Sequence, residues 1–377
     1  MTDLRFALAP ASPIDDVGRL WRRLEERGEG SFFVSWTWIG TWLHCLPGHI
    51  RPHLLTATRD GEVVGAAVVV SRRERRYGVL NVRQLHFNVT GDTALDCIMI
   101  EHNGFVGCAE ADREPWPAFL RWFAGQAEAD ELVVPGIADG AIGEPPRDLR
   151  LLHATGKVAG FACGLPPGGR DAILAGFSAN TRQQLHRSLR DCEALGELRI
   201  EMARSADEAL AWFAQLKALH VAYWTKRGRR HAFDHPFFET FHSALVERGA
   251  TDGSVRLRRV SAGSAVLGYL YDFERNGRLY AYQSGFDDSH SLLRPGYVAH
   301  ALAMEQSARE GARAYDYLGG DNRLKRSFGK QAYTLGWHRF SRPRPGLRLQ
   351  AAAARVMSGL RSKQSVEHAA GAQALEL

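Results

Sequence analysis

The sequence predicts an α/β (α+β) protein of two successive domains, each a mixed, mainly antiparallel sheet flanked by helices. Three observations predict it. At 377 residues the chain is long for a single hydrophobic core. Hydrophobic periodicity gives helix, helix, three strands, helix, strand across residues 205–318, and a similar order across residues 13–135. Between them, Gly136 to Gly176 is rich in glycine and proline, as expected of turns and edge strands at a boundary. The expected division is 1–176, a basic connecting helix 177–196, a second domain 197–341, and a basic tail 342–377.

Composition narrows the class. An apolar fraction of 45% with 24% charged residues is that of a soluble globular protein. No run of about twenty apolar residues offers a membrane span, and the opening residues are too acidic and too briefly apolar for a signal peptide. Five cysteines (Cys45, Cys97, Cys108, Cys163, Cys192) are scattered without a C-x-x-C pair. They point to reduced thiols in the cytoplasm. A formal charge of +6 suits phosphorylated or acidic ligands without selecting one.

In the first half, Val17, Leu20, Trp21 and Leu24 recur at helical spacing. Ser35 caps a second helix whose tryptophans are expected in the core. Strands follow at His53–Ala57, Val63–Val70, Val79–Phe87 and Asp96–Ile100, then a helix from Trp116 to Gln126 and a strand from Glu131 to Pro135. In the second half, Ser178 or Asn180 caps the basic helix that ends near Leu195. After a strand from Leu198 to Met202, Ser205-Ala-Asp-Glu opens an amphipathic helix as a capping box. A further helix begins at Asp234 and ends at Gly249. Three antiparallel strands lead to Ser284, turning at Gly263 and at Asn276-Gly277.

The stretch from Leu279 to Lys330 organises the rest. A strand, a polar loop, a helix beginning near Pro295 and a second strand ending in Gly319-Gly320-Asp321 place a helix N-terminus beside a strand end. Unpaired N–H groups and the helix dipole make an anion site there. Gly296 permits close approach of an oxygen-rich ligand and Arg294 adds a charged donor, the ingredients of a pyrophosphate cradle. An ordinary strand-to-helix connection has the same outline.

The order of short motifs resembles the GNAT acyltransferase superfamily, within it the CelD-like and Fem-like branch with two such folds in tandem. The motifs are Phe33-Val-Ser-Trp-Thr-Trp, Phe177-Ser-Ala-Asn-Thr-Arg-Gln-Gln-Leu, His220-Val-Ala-Tyr-Trp-Thr-Lys-Arg-Gly, Ser284-Gly-Phe-Asp, Arg294-Pro-Gly, Tyr315-Asp-Tyr-Leu-Gly-Gly-Asp and Leu324-Lys-Arg-Ser-Phe-Gly. They run through most of positions 31–340. The resemblance implies acetyl-CoA or another acyl-CoA as co-substrate, no metal, and direct attack of an acceptor amine or hydroxyl on the thioester. It implies a glycan or cell-envelope precursor as acceptor. The first domain, lacking an arginine in its corresponding loop, is expected to be a degenerate copy that shapes the acceptor cleft.

Site residues follow from both readings. The donor set is Ser284 and Gly285, where a GNAT strand splays, with Arg294, Gly296, Tyr297 and Lys330. The catalytic candidates are Lys325, which matches a lysine of Fem-type transferases, Asp321 and then Asp287 for proton removal, and Tyr282 for the leaving thiolate. Solvent or a salt bridge to Asp321 is the plain alternative for Lys325, turn capping for Asp287, and packing for Tyr282. His220, Tyr223, Trp224 and Arg227 are expected to meet the acceptor between the domains; burial of both rings against the sheet is the alternative. The histidine pairs His231/His235 and His49/His53 lack the H-E-x-x-H pattern of a metal site. No P-loop or G-x-G-x-x-G supports a nucleotide, and no DNA partner is expected. Two other readings remain: aminoacyl transfer from tRNA, and a binding protein on an inactive frame. The basic tail is a possible peripheral membrane contact.

Overall fold

A computed structural model describes residues 4–76, 80–108, 115–126 and 128–347. The described residues cluster into two compact units. One is built from residues up to Lys157 and from Leu335 onward, the other from Val158–Thr334.

The first unit opens with β1 (Arg5–Pro10), α1 (Ile14–Glu25) and α2 (Trp36–Cys45). Ser35 caps α2 by accepting the Trp38 N–H, and Trp38 and Trp42 are buried, as their helical spacing predicted. The strands β2 (Pro52–Arg59), β3 (Glu62–Arg76) and β4 (Leu80–Phe87) form an antiparallel meander, and α3 (Pro115–Gly125) returns the chain to β5 (Glu131–Ala138). β5 pairs with β4 in parallel. The strand expected at Asp96–Ile100 is instead a 3-10 turn, Asp96–Ile98. The Asp96 carboxylate accepts the Thr90 and Gly91 N–H groups and curls the segment on itself.

The chain then runs through β6 (Arg150–Gly164), α4 (Gly169–Ala175) and α5 (Ala179–Glu193), which Ser178 caps. The second unit repeats the earlier order. β7 (Leu198–Met202) is followed by α6 (Ala206–Lys226), α7 (Pro236–Gly249), the meander β8 (Val255–Ala262), β9 (Ala265–Arg275) and β10 (Arg278–Phe286), then α8 (Pro295–Arg309) and β11 (Ala314–Gly319). β11 pairs with β10 in parallel. A short helix α9 (Arg323–Phe328) and the last strand β12 (Lys330–Ser341) complete the described chain. α7 begins at Pro236 with His235 at its cap, not at Asp234, which lies in a 3-10 turn and folds its carboxylate back on the His231 N–H.

The units divide at Lys157, inside β6, and not at residue 176. β6 is one continuous strand, and Phe161 and Leu165 already pack in the second unit's core with Tyr315, Tyr317 and Phe328. Likewise β12 pairs with β5 from Leu335 to Ser341, and Phe340 enters the first unit's core. The expected tail helix beyond Leu347 lies outside the described residues. No described helix is long and apolar enough to cross a membrane.

Candidate active site in the second unit

β10 and β11 stay paired for three residues only. Arg278, Leu279 and Tyr280 face Ala314, Tyr315 and Asp316, and the ladder stops. Both strands become irregular at that level. β10 slips its register against β9 between Ala281 and Gln283, and β11 slips against β6 between Asp316 and Gly319. Leu318 takes a left-handed backbone with φ 62°, and its N–H is held by the Asp316 carboxylate at 2.8 Å. A buried hydrogen bond thus secures a conformation that leucine disfavours.

The gap between the strands is a cavity of about 110 Å³. β10 supplies Gln283, Ser284 and Phe286 to its walls, β11 Tyr317 and Leu318, α8 His300, and the α9 segment Asn322, Leu324 and Lys325. Lys325 is buried, with its ammonium turned onto the carbonyls of Leu318 and Gly319. Gln283 is buried, and its Oε1 accepts the Ser284 N–H at 2.9 Å. Its Nε2 has no partner. A buried unpaired donor costs about 1–3 kcal/mol, so this amide lacks an acceptor that the cavity has room to hold. His300 lies 2.7 Å from the Tyr315 hydroxyl through Nδ1. Burial first, then the Lys325 charge, push its pKa down to about 3, so it is neutral near pH 7.

The Lys325 ammonium and the Gln283 amide therefore line one small opening at a strand end. Such a set stabilises negative charge developing on a carbonyl oxygen.

In the first unit the corresponding opening is bridged. β4 and β5 also pair for three residues, but Asn103 follows them into the gap. Its Nδ2 donates to Phe87 O at 3.2 Å and Pro135 O at 2.9 Å, and its N–H to Gly136 O at 2.9 Å. Asn88 in turn donates to the Asn103 side-chain oxygen at 2.8 Å.

Residues 179–326 match the acetyltransferase (GNAT) domain family. The match spans the cavity and all its walls. Among solved structures, the chain superposes on the crystal structure of FemX with a TM-score of 0.55 at 13% identity, covering 85% of this chain and 95% of that one. A conserved protein of unknown function from Bacteroides thetaiotaomicron VPI-5482 gives 0.52 at 10% identity over 91% and 100%. L-PGS from Bacillus licheniformis gives 0.50 at 12% identity over 91% and 97%. At these identities the likeness is one of fold. No curated protein matches the sequence.

Within and beside the matched region, the expected site residues separate into groups. Lys325, Ser284 and Tyr282 border the cavity. The Tyr282 hydroxyl, however, bonds His242 Nε2 at 3.1 Å among Phe238 and Phe273, so it is committed to packing. Gly285 allows contact with α6: a Cβ there would collide with the Leu216 carbonyl. The two carboxylates expected as bases are engaged elsewhere. Asp321 is exposed and ion-paired with Arg326 at 2.7 Å. Asp287 caps the 3-10 turn Asp288–Leu293 through the Ser289 N–H, which with His290 lowers its pKa. Strand-end position suggested a cleft for Asp321; an arginine five residues on in α9 draws it outward instead.

The phosphate cradle is leaner than expected. Pro295 has no N–H, and the Tyr297 and Val298 N–H groups are spent on the Arg294 carbonyl. The Gly296 amide is left, with the exposed Arg294 beside it, and a Cβ on Gly296 would touch the cavity-lining Phe286 and Leu324. Tyr297 is buried with its hydroxyl on Ser327 at 2.7 Å, tying α8 to α9. Lys330 is exposed at the start of β12.

His220, Tyr223, Trp224 and Arg227 cluster at the end of α6. Tyr223 is 36% exposed, not buried against the sheet. The Arg227 guanidinium stacks over its ring at 3.5 Å and reaches Asp288 at 3.2 Å. Trp224 meets Tyr223 edge-on. His220 is buried, and its Nδ1 lies 3.2 Å from the Ser284 carbonyl, linking this cluster to the cavity wall. Sequence reasoning missed Gln283, His300 and Leu318. Gln283 could have been found, because a glutamine in an apolar strand beside Ser284 needs a partner. A positive φ at a leucine leaves no trace in sequence. No group of three or more histidine, cysteine or acidic side chains suited to a metal occurs among the described residues.

Proposed function

We infer that the protein is an acyltransferase that moves an acyl group, acetyl in the simplest case, from a coenzyme A thioester to an amine or hydroxyl. The carrying observation is the cavity at the β10–β11 splay, where Lys325 and the unpartnered Gln283 Nε2 meet. The residues present fit such a donor: the Gly296 amide and Arg294 suit its phosphates, and the gap between strands suits its acyl end. When bound, the donor supplies a thioester carbonyl reactive enough for direct attack. Lys325 and Gln283 Nε2 then orient that carbonyl and offset charge growing on its oxygen.

The first unit, its gap bridged by Asn103, acts in this reading as a degenerate copy without a donor site. The acceptor is a small molecule or glycan precursor of the polysaccharide or envelope kind to which the CelD-like resemblance points, and the donor places the protein in the cytoplasm.

Thermal-shift titration with acetyl-CoA, longer acyl-CoAs and charged tRNA tests the donor. A thioester at a hundredfold over its dissociation constant adds about 2.7 kcal/mol of stability. Stabilisation by CoA thioesters and not by tRNA supports the reading. Stabilisation by charged tRNA alone replaces it with aminoacyl transfer, and no response to either leaves a non-catalytic scaffold.

A further inference from the structure

With Asp321 and Asp287 engaged elsewhere, the acceptor's proton needs another destination, and two neighbouring histidines offer it. His220 presents Nδ1 to the Ser284 carbonyl at 3.2 Å. A carbonyl only accepts, so Nδ1 carries the proton and Nε2 keeps a lone pair. That Nε2 is buried without a partner. His231, whose side chain is 9% exposed, presents Nε2 to the Asp234 carboxylate at 3.3 Å. Its Nε2 therefore carries the proton, and its Nδ1, also buried and unpartnered, keeps a lone pair. The two ring centroids are 6.0 Å apart. Two unused acceptors side by side suit one shared donor of hydrogen bonds.

We propose that His231, oriented by Asp234, is the general base of the acyl transfer, and that His220 holds the same acceptor group and fixes Ser284. This rests on the transferase reading and deepens it: the acceptor brings an N–H or O–H to the two ring nitrogens, as a primary amine or an alcohol does. The acceptor nitrogen or oxygen bonds the acyl carbon while the carbon–sulfur bond breaks. The acceptor's proton passes to His231 Nδ1, where Asp234 stabilises the imidazolium, and is released to solvent as the thiolate regains one. His220 stays neutral near pH 7. Burial, its largest influence, holds its pKa at about 4, and His231 opposes its charging further. The Asp234 carboxylate also faces Arg230 at 3.9 Å, a weak competitor on the exposed side.

The test uses the full chain labelled with 15N-histidine. Ring spectra are expected to show unprotonated His220 Nε2 and His231 Nδ1, and titration with ethanolamine, which offers both an amine and a hydroxyl, should shift both. Asp234→Asn should redistribute the His231 tautomers without unfolding the protein. His231→Gln is expected to lower transfer to an amine roughly 10²–10³-fold, a loss within the range for a general base, with the thermal shift by acetyl-CoA retained. His220→Asn, which preserves a donor at the Nδ1 position, should lose less than His220→Gln, which does not. A protonated His220 Nε2, or no shift at either ring up to saturation, overturns the assignment. Because the ethanolamine titration needs no thioester, failure of acetyl-CoA to bind would sink the donor reading separately.

Discussion

At Lys325 a single side chain holds the strand end, and in the proposed reading it also serves the chemistry. Its ammonium satisfies the Leu318 and Gly319 carbonyls at the strained end of β11. Lys325→Met keeps the stem and removes the donor, stranding carbonyls in a buried site. It should cost about 1–3 kcal/mol in urea unfolding and slow transfer by about 10²–10³-fold. A variant with unchanged turnover would remove Lys325 from the mechanism. The buried histidines are expected to make the fold less stable in acid. Burial lowers His86 and His220 to about 4 and His300 to about 3, and holds His242 well below its usual value. Unfolding returns each to about 6.5. Their contribution is thus complete above pH 6.5 and is lost as pH falls toward the folded values, on the order of 3 kcal/mol for His220 alone. The urea midpoint should drop steeply between pH 6.5 and 4; a flat profile would contradict the neutral assignments.

At the scale of elements, the splay is made by bulges and packing, and these differ in how visibly they are written. The meander, the caps at Ser35, Ser178 and Ser205, and the helix after Arg294 follow from period and turn chemistry, and they were legible. The place of Lys325 on the cavity wall was legible, because its motif announces itself. The site was hidden where local geometry chooses among several possible partners, as with Asp321 drawn to Arg326, or the first-turn amides consumed by the Arg294 carbonyl. Glycines separate the two cases by experiment. Gly285→Ala places a Cβ against the Leu216 carbonyl, which is backbone and cannot step aside. It should push α6 off β10 and destabilise by about 1–3 kcal/mol. Gly296→Ala meets only the side chains of Phe286 and Leu324. It should leave the melting temperature nearly unchanged while weakening acyl-CoA binding, whereas equal affinity in Gly296→Ala and Arg294→Ala would remove the α8 turn from the donor site.

For the molecule as a whole, the same order of elements occurs twice, and each unit is finished by a strand from the other half of the sequence. β6 follows the first copy, yet its end, Gly160 to Gly164, pairs with β11. β12 follows the second copy, yet Leu335–Ser341 pairs with β5. A boundary drawn from glycine and proline content at residue 176 cannot register this, because strand pairing at such distance leaves no local pattern. The consequence is an asymmetry between fragments. Residues 1–176 lack β12, so β5 presents an open edge, and the first core loses Phe340, which is fully buried. Removing a core phenylalanine alone costs about 3–5 kcal/mol, a large share of what a domain of this size has to spare, and the bare edge invites aggregation. Residues 158–334 retain every side chain of the second core cluster. Expressed separately, 158–334 should melt in one cooperative transition and keep its response to acyl-CoA, while 1–176 should aggregate or melt without a transition. A well-folded 1–176 would show that β12 is dispensable to the first unit.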